Sequence, residues 1–179
     1  IRIAAPGNTD LEFESSGRPW FVSDGVVDAE DIAEGNLDDH IPAGNIYFAP
    51  LESTAEGRVT FNVQEPYRGK SVKKLTWEFK GGKLTHFSGD SSVSRLKEDW
   101  ARSAGDKDRI ALFSIGFNPS AKTGYTINQV AAGAVSIGIG GNEEFGGVNK
   151  SGFYYAGTLT GADVSVDGEL IVKKGELVF

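Results

Sequence analysis

The sequence predicts a single α+β domain, mainly antiparallel β, in a barrel-like or curved sheet with one amphipathic helix packed on it. Three observations predict this. Short runs that alternate apolar and polar residues recur along the chain, the pattern of half-buried strands. The 179 residues include 24 glycines, which supply turns between those runs. Only one stretch, Asp90 to Ala104, carries a sustained helical period.

The elements follow in order. Ile1 to Ala5 reads as a strand ended by Pro6-Gly7-Asn8. Leu11, Phe13 and Ser15 alternate with Glu12 and Glu14. Trp20-Phe21-Val22 is a short apolar run before the turn at Ser23-Asp24-Gly25. Asp28 to Gly35 predicts one or two helical turns, with Asp28 as N-cap, Asp31 as the acid three residues on and Gly35 as the stop. His40 to Pro50 reads as a turn bent by Pro42 and Gly44, then a strand through Ile46, Tyr47 and Phe48. Arg58 to Val63 is the next strand. Leu75, Trp77 and Phe79 alternate with polar residues, and Gly81-Gly82 turns the chain into Lys83–Phe87, a two-residue hairpin.

In the helix Asp90–Ala104, Val93, Leu96 and Trp100 share one face; Asp90 or Ser91 caps it and Gly105 ends it. Ile110–Phe117, Ala134–Ile139 and Phe153–Leu159 are apolar strands. Hairpins at Asp167-Gly168 and Lys174-Gly175 close the chain at Leu177-Val178-Phe179. Neither repeat nor linker interrupts this, so residues 1–179 read as one domain.

Composition bounds the function. The net charge is -7, which argues against nucleic acid or an anionic membrane as partner. Cysteine is absent, which excludes disulfides, thiolate metal sites and a Cys nucleophile. No apolar run approaches a membrane span and no signal peptide is visible, so a cytoplasmic location is expected. The chain begins at Ile1 without Met, which reads as processing or as the end part of a longer protein. Seven acids and no base lie between Asp24 and Asp39, but without calcium-loop spacing they read as a solvated loop. The two histidines, His40 and His86, form no zinc motif. Gly138, Gly140 and Gly141 lack the lysine of a P-loop and read as turn glycines. The residues alone give no visible active site.

Seven segments in a fixed order carry a resemblance. They are Thr9-Asp10-Leu11, Ile41-Pro42-Ala43-Gly44 running to Ala49-Pro50, Gly57-Arg58-Val59-Thr60-Phe61, Ile115-Gly116-Phe117-Asn118-Pro119, Val135-Ser136-Ile137-Gly138-Ile139-Gly140, Asn149-Lys150-Ser151 and Val166-Asp167-Gly168-Glu169. Together they resemble the C-terminal, metal-binding part of the aminopeptidase T family, metallo-aminopeptidases distantly similar to the iron-dependent dihydroxypyridine dioxygenases. The family's preceding α/β domain has no counterpart here.

The resemblance implies five metal-ligand positions, and each carries a different residue. The glutamate after Pro-x-Gly matches Asn45, and the glutamate of a Gly-Glu pair matches Leu112. One strand histidine matches Ser136. The histidine and aspartate of the last strand match Tyr154 and Ala156. A two-metal hydrolase needs anionic ligands and an open water position, so the expectation is a site with no metal and no cofactor.

The expected function is that of a non-catalytic, metal-free homologue that binds an unknown small molecule, peptide or protein partner. The alternative is a metal-dependent aminopeptidase or related hydrolase that uses other residues, such as the acids of 24–39 and His40. A homodimer is implied by the resemblance alone. Asn45, Ser136 and Tyr154 are expected to face one another, with Leu112 and Ala156 lining the same spot and the Tyr154 hydroxyl bonded to Asn45 or Ser136.

Overall fold

The computed structural model describes residues 1–34, 37, 39–125 and 127–178; Gly35 and Phe179, named above, and Asp38, one of the seven acids counted there, lie outside them. Along the chain the elements are β1 (Arg2–Ala5), β2 (Thr9–Glu12), β3 (Phe21–Ser23), α1 (Ala29–Glu34), β4 (Asn45–Phe48), β5 (Glu56–Thr60), β6 (Glu65–Tyr67), β7 (Lys70–Val72), β8 (Thr76–Lys80) and β9 (Lys83–Ser88). Then come α2 (Ser94–Arg102), β10 (Ile110–Gly116), β11 (Val135–Gly140), β12 (Tyr154–Leu159), β13 (Asp163–Val166), β14 (Glu169–Lys173) and β15 (Glu176–Leu177).

The strands build two large antiparallel sheets and one small hairpin. One sheet has the order β15-β14-β13-β1-β2-β5-β8-β9, the other β12-β11-β10-β4-β3, and β6 pairs with β7. Neither large sheet closes on itself, so the architecture is the expected α+β fold in its curved-sheet form rather than as a barrel.

Local chemistry explains the elements that the sequence predicts best. The Asp28 carboxylate accepts from the backbone N–H of Glu30 (2.8 Å) and Asp31 (3.1 Å), and Asp31 accepts from the N–H of Asp28 (3.0 Å). That is a reciprocal capping box at the start of α1. Gly81 and Gly82 adopt φ of +55° and +72°, which a two-residue β8–β9 turn demands. The main helix opens with a 3₁₀ turn, Ser91–Val93, capped by Asp90, and ends at Arg102, short of the expected Ala104. Leu96 is fully buried and Trp100 meets Phe87 with ring centroids 5.5 Å apart, which seats α2 on the eight-stranded sheet.

The core lies between the two large sheets. Ile3, Leu11, Val59, Phe79 and Val164 face it from the larger sheet, and Phe48, Phe113, Ile137, Ile139 and Leu159 from the smaller. Trp77 stands at its centre, with the rings of Phe61, Phe79, Phe87 and Tyr155 edge-on at 4.9 to 6.3 Å. Such edge-to-face packing adds to the area term. Replacing Trp77 by Ala should therefore cost about 3–5 kcal/mol, the range for a large buried aromatic, read as a fall in the urea midpoint at constant slope. A loss below about 1 kcal/mol would mean that these rings do not form one core.

Candidate ligand site

The five-stranded sheet has two working faces. Ile110–Gly116 and Val135–Gly140 are buried along their whole length. Because side chains alternate, Phe113, Ile115, Ile137 and Ile139 enter the core while Leu112, Ser114, Ser136 and Gly138 point the other way. Cross-strand register extends that second face. Tyr47, Ser114, Ser136 and Thr158 form one row, and Leu112, Gly138 and Ala156 the next. Gly140 opposite Tyr154 lies beyond it, and Asn45 opposite Gly116 lies on the other side.

All five sequence-derived positions therefore share one face, in two groups. Leu112, Tyr154 and Ala156 line a cavity of about 420 Å³. Asn45 and Ser136 lie buried beneath the same face, in its hydrogen-bonded floor. The Asn45 amide donates to the Ser114 hydroxyl (3.0 Å), and the Ser136 hydroxyl bonds that of Thr158 (2.8 Å). The expected partner of the Tyr154 hydroxyl differs. Ser136 is taken by Thr158, and the Asn45 side-chain oxygen has no partner. The Tyr154 ring instead lies across Gly138, where a Cβ would meet it at 3.0 Å, and against Phe145 at 5.2 Å. The missing side chain at Gly138 is what admits the ring. Burial, then the carboxylates of Glu144 and Glu65, raise the Tyr154 pKa and keep the hydroxyl protonated.

Further residues complete the cavity. Glu65 enters from β6, braced by Asn128, whose amide donates to the Gln64 carbonyl (3.1 Å) and whose oxygen accepts from the Gly124 N–H (2.6 Å). Burial raises the Glu65 pKa, opposed by hydrogen bonds from Thr158 and Asn128. Phe145 is held by a tight network below it. Glu52 accepts from Asn142 (3.0 Å) and the Val148 N–H (2.9 Å) and pairs with Arg18, which also donates to the Gly146 carbonyl. Tyr47 meets Phe145 edge-on.

His40, weighed only as part of the alternative, lines the cavity, and its Nε2 is buried without a hydrogen-bond partner. Its Nδ1 lies 3.4 Å from Asp39, whose carboxylate accepts from Ser23 (2.5 Å), the Gly25 N–H (2.7 Å) and its neighbour's own N–H (2.7 Å). Burial works against ionisation of Asp39, but these hydrogen bonds win and its pKa is lowered.

Among the described residues, no three His, Cys, Asp or Glu side chains group in a way that could hold a metal ion. Among the described residues the cavity offers one imidazole and one carboxylate, while Asn45, Leu112, Ser136, Tyr154 and Ala156 add only neutral groups. The iron that the resemblance implies does not fit this donor set, because a redox-active metal needs several anionic or imidazole ligands on one face. No lysine or arginine lines the cavity either.

Comparison with known proteins places this geometry in context. The family described as NicX, 2,5-dihydroxypyridine 5,6-dioxygenase, matches residues 1–179. The 2,5-dihydroxypyridine 5,6-dioxygenase of Pseudomonas putida KT2440 is 22% identical over 156 residues, 78% of this chain and 44% of that protein. Its solved structure superposes with a TM-score of 0.78 at 19% identity, over 99% of this chain and 54% of the other. Wild-type AmpT from Thermus thermophilus superposes with a TM-score of 0.74 at 17% identity, over 99% and 49%. The chain thus spans about half the length of the relatives it matches. The likeness to aminopeptidase T is one of fold, and the family match falls on the dioxygenase side. Among the described residues no helix is long and apolar enough to cross a membrane.

The folded protein holds the Glu65 proton more tightly than the unfolded chain does. The Glu65 contribution to stability should therefore fall as pH rises from the ordinary glutamate range towards neutral. Glu65→Gln cannot ionise but keeps an acceptor oxygen. Its melting temperature relative to wild type should rise between about pH 4 and pH 7. A constant difference across that range would show that Glu65 titrates normally.

Proposed function

We propose a metal-free, ligand-binding role for this chain, which belongs to the 2,5-dihydroxypyridine 5,6-dioxygenase family. The ligand is a small, uncharged, ring-bearing molecule, and the family's metal-dependent chemistry is not retained. One observation carries this reading. The cavity opens on the face that carries Asn45, Leu112, Ser136, Tyr154 and Ala156, which the resemblance matches to metal ligands, yet it is walled by Tyr47, Leu112, Phe145, Tyr154 and Ala156. Aromatic walls favour a flat ring. Glu65, Asn128 and Thr158 supply the few directional polar groups that fix orientation.

The physical logic supports loss of the metal chemistry. Buried carboxylates without a cation are costly. A floor of Asn45, Ser114, Ser136 and Thr158, bonded in pairs, is uncharged and, of these four residues, leaves the Asn45 oxygen without a partner. A peptidase built on the acids of 24–39 gains no support, since Asp28 and Asp31 are engaged in the α1 cap and Asp39 in holding Ser23 and Gly25.

The relative's own substrate is a suitable probe. 2,5-Dihydroxypyridine should bind in the presence of a chelator as well as in its absence, by ligand-observed NMR. Ala156→Phe fills the cavity and should weaken binding at least ~10-fold, about 1.4 kcal/mol, with the melting temperature kept. Stoichiometric iron together with chelator-sensitive oxygen uptake on this compound would overturn the reading, as would binding that ignores Ala156→Phe.

A further inference from the structure

One wall of the cavity is set from outside it. Tyr47 and Tyr154 ride on β4 and β12, where strand pairing fixes them, but Phe145 sits in the loop between β11 and β12. Its place therefore depends on whatever holds that loop. Within the loop, the N–H groups of Phe145 and Gly147 donate to the Asn142 carbonyl (3.0 and 2.9 Å). The Ala49 N–H, just past β4, donates to the Phe145 carbonyl (3.0 Å). The other ties come from residues distant in sequence. Glu52 Oε1 accepts from the Asn142 amide (3.0 Å) and from the Val148 N–H (2.9 Å), one on each side of Phe145. Its Oε2 pairs with Arg18, whose Nη1 donates to the Gly146 carbonyl (2.8 Å). Pro19 closes over Gly146, where a Cβ would meet it at 2.6 Å, and Phe21 stacks on Tyr47 with ring centroids 5.5 Å apart. Arg18, Glu52 and Asn142 stand outside the cavity lining.

Stability is a poor explanation of the Arg18–Glu52 pair. Both side chains are largely buried, and Arg18 Nε is buried without a partner. A buried ion pair of that kind adds little net stability, because desolvation offsets the attraction. Its geometry does restrict the loop. One carboxylate and one guanidinium fix Asn142, Gly146 and Val148 around Phe145. A ring so fixed keeps its contacts with Tyr154 (5.2 Å) and Tyr47 (6.1 Å between centroids), an aromatic corner of defined shape.

We infer that the Arg18–Glu52 pair is a specificity determinant: by fixing Phe145 it makes the cavity prefer a flat ring to a puckered ring of the same size and polarity. Glu52 and Arg18 act as positioning residues, through Phe145. The inference rests on the cavity being a ligand site and adds the residues that set its selectivity. The physical reason is contact distance. A planar ring meets an aromatic corner over a whole face, whereas a puckered one touches it at few atoms, and dispersion falls steeply over a gap of about 0.5–1 Å. A corner free to shift would follow either shape and lose the distinction.

Phenol and cyclohexanol are the probes, an uncharged pair alike in size and hydroxyl but flat and puckered respectively, with dissociation constants from ligand-observed NMR titration. Wild type should favour phenol about 5- to 10-fold, the yield of aromatic contact. Phe145→Ala and Glu52→Ala should each bring that ratio down to about 2-fold or less. Glu52→Gln keeps an acceptor oxygen for Asn142 and Val148 and should restore most of it. Glu52→Ala should lower the melting temperature in either background, but its effect on the ratio should vanish in the Phe145→Ala background, which a merely structural role would not produce. If Glu52→Ala does not fold, Arg18→Leu, which unties Gly146, carries the same test. Equal affinity of wild type for the two probes overturns the inference and leaves the ligand cavity standing. A wild-type ratio in Phe145→Ala, or in folded Glu52→Ala or Arg18→Leu, does the same. If neither probe binds, or Ala156→Phe binds phenol as well as wild type does, the cavity falls and the inference with it.

Discussion

Strand alternation in the five-stranded sheet is the constraint on which the rest depends. Every residue of β10 and β11 is buried, so each strand must satisfy two environments at once. Large aliphatic and aromatic side chains go to the core, while the cavity face takes Leu112 and otherwise small, hydroxylated or absent ones. A slip of one residue would exchange the two sets. The irregularity between Ile110 and Leu112 makes such a slip a real hazard, and a buried amide guards it. Asn149 donates to the carbonyls of Ile110 (2.9 Å) and Gly140 (3.0 Å), tying β10 to β11 where their pairing is irregular. The same loop then carries Phe145 to the cavity, so register and site share one set of hydrogen bonds.

Much of the fold was legible because its signals are local. The Asp28 cap, the Gly81-Gly82 hairpin and the helix face of Val93, Leu96 and Trp100 each rest on residues close in sequence. Half of the site was legible for a different reason: the family's frame glycines and prolines place Leu112, Tyr154 and Ala156 on one face. Glu65 was missed. Its strand is three residues long, contains Pro66 and returns through a turn with Arg68 at positive φ, so no period marks it. Only contacts with Thr158 and Asn128, far away in sequence, bring it to the cavity. His40 was visible as a residue but not as part of a cavity, since the Asp39 beside it is fixed by hydrogen bonds from Ser23 and Gly25, distant in sequence.

The turn before β4 is held by its frame rather than by the side chain of Asn45. Gly44 keeps a φ of +118° and packs where a Cβ would meet Asn118 at 2.7 Å, and Asn118 donates to the Ala43 carbonyl (2.7 Å). Those contacts hold the turn that presents Asn45, whatever the side chain there does. A frame of this kind tolerates exchange of its reactive groups, because backbone contacts rather than ligands fix the geometry. Gly138 shows the converse. Tyr154 lies across it, and a Cβ there would meet that ring at 3.0 Å and Leu112 at 2.9 Å, so this glycine shapes the cavity wall.

The order of strands in the larger sheet has a consequence for how the chain is made. Ile3 pairs on one side with Leu11 and on the other with Val164. During synthesis β1 and β2 emerge long before β13, so the second neighbour of β1 arrives only when the segment through Val166 has been made. Until then a flat edge of unpaired N–H and C=O groups stands open, the feature that recruits other chains. Long-range pairing of this kind slows folding, so the edge of β1 stays open for as long as β13 is missing.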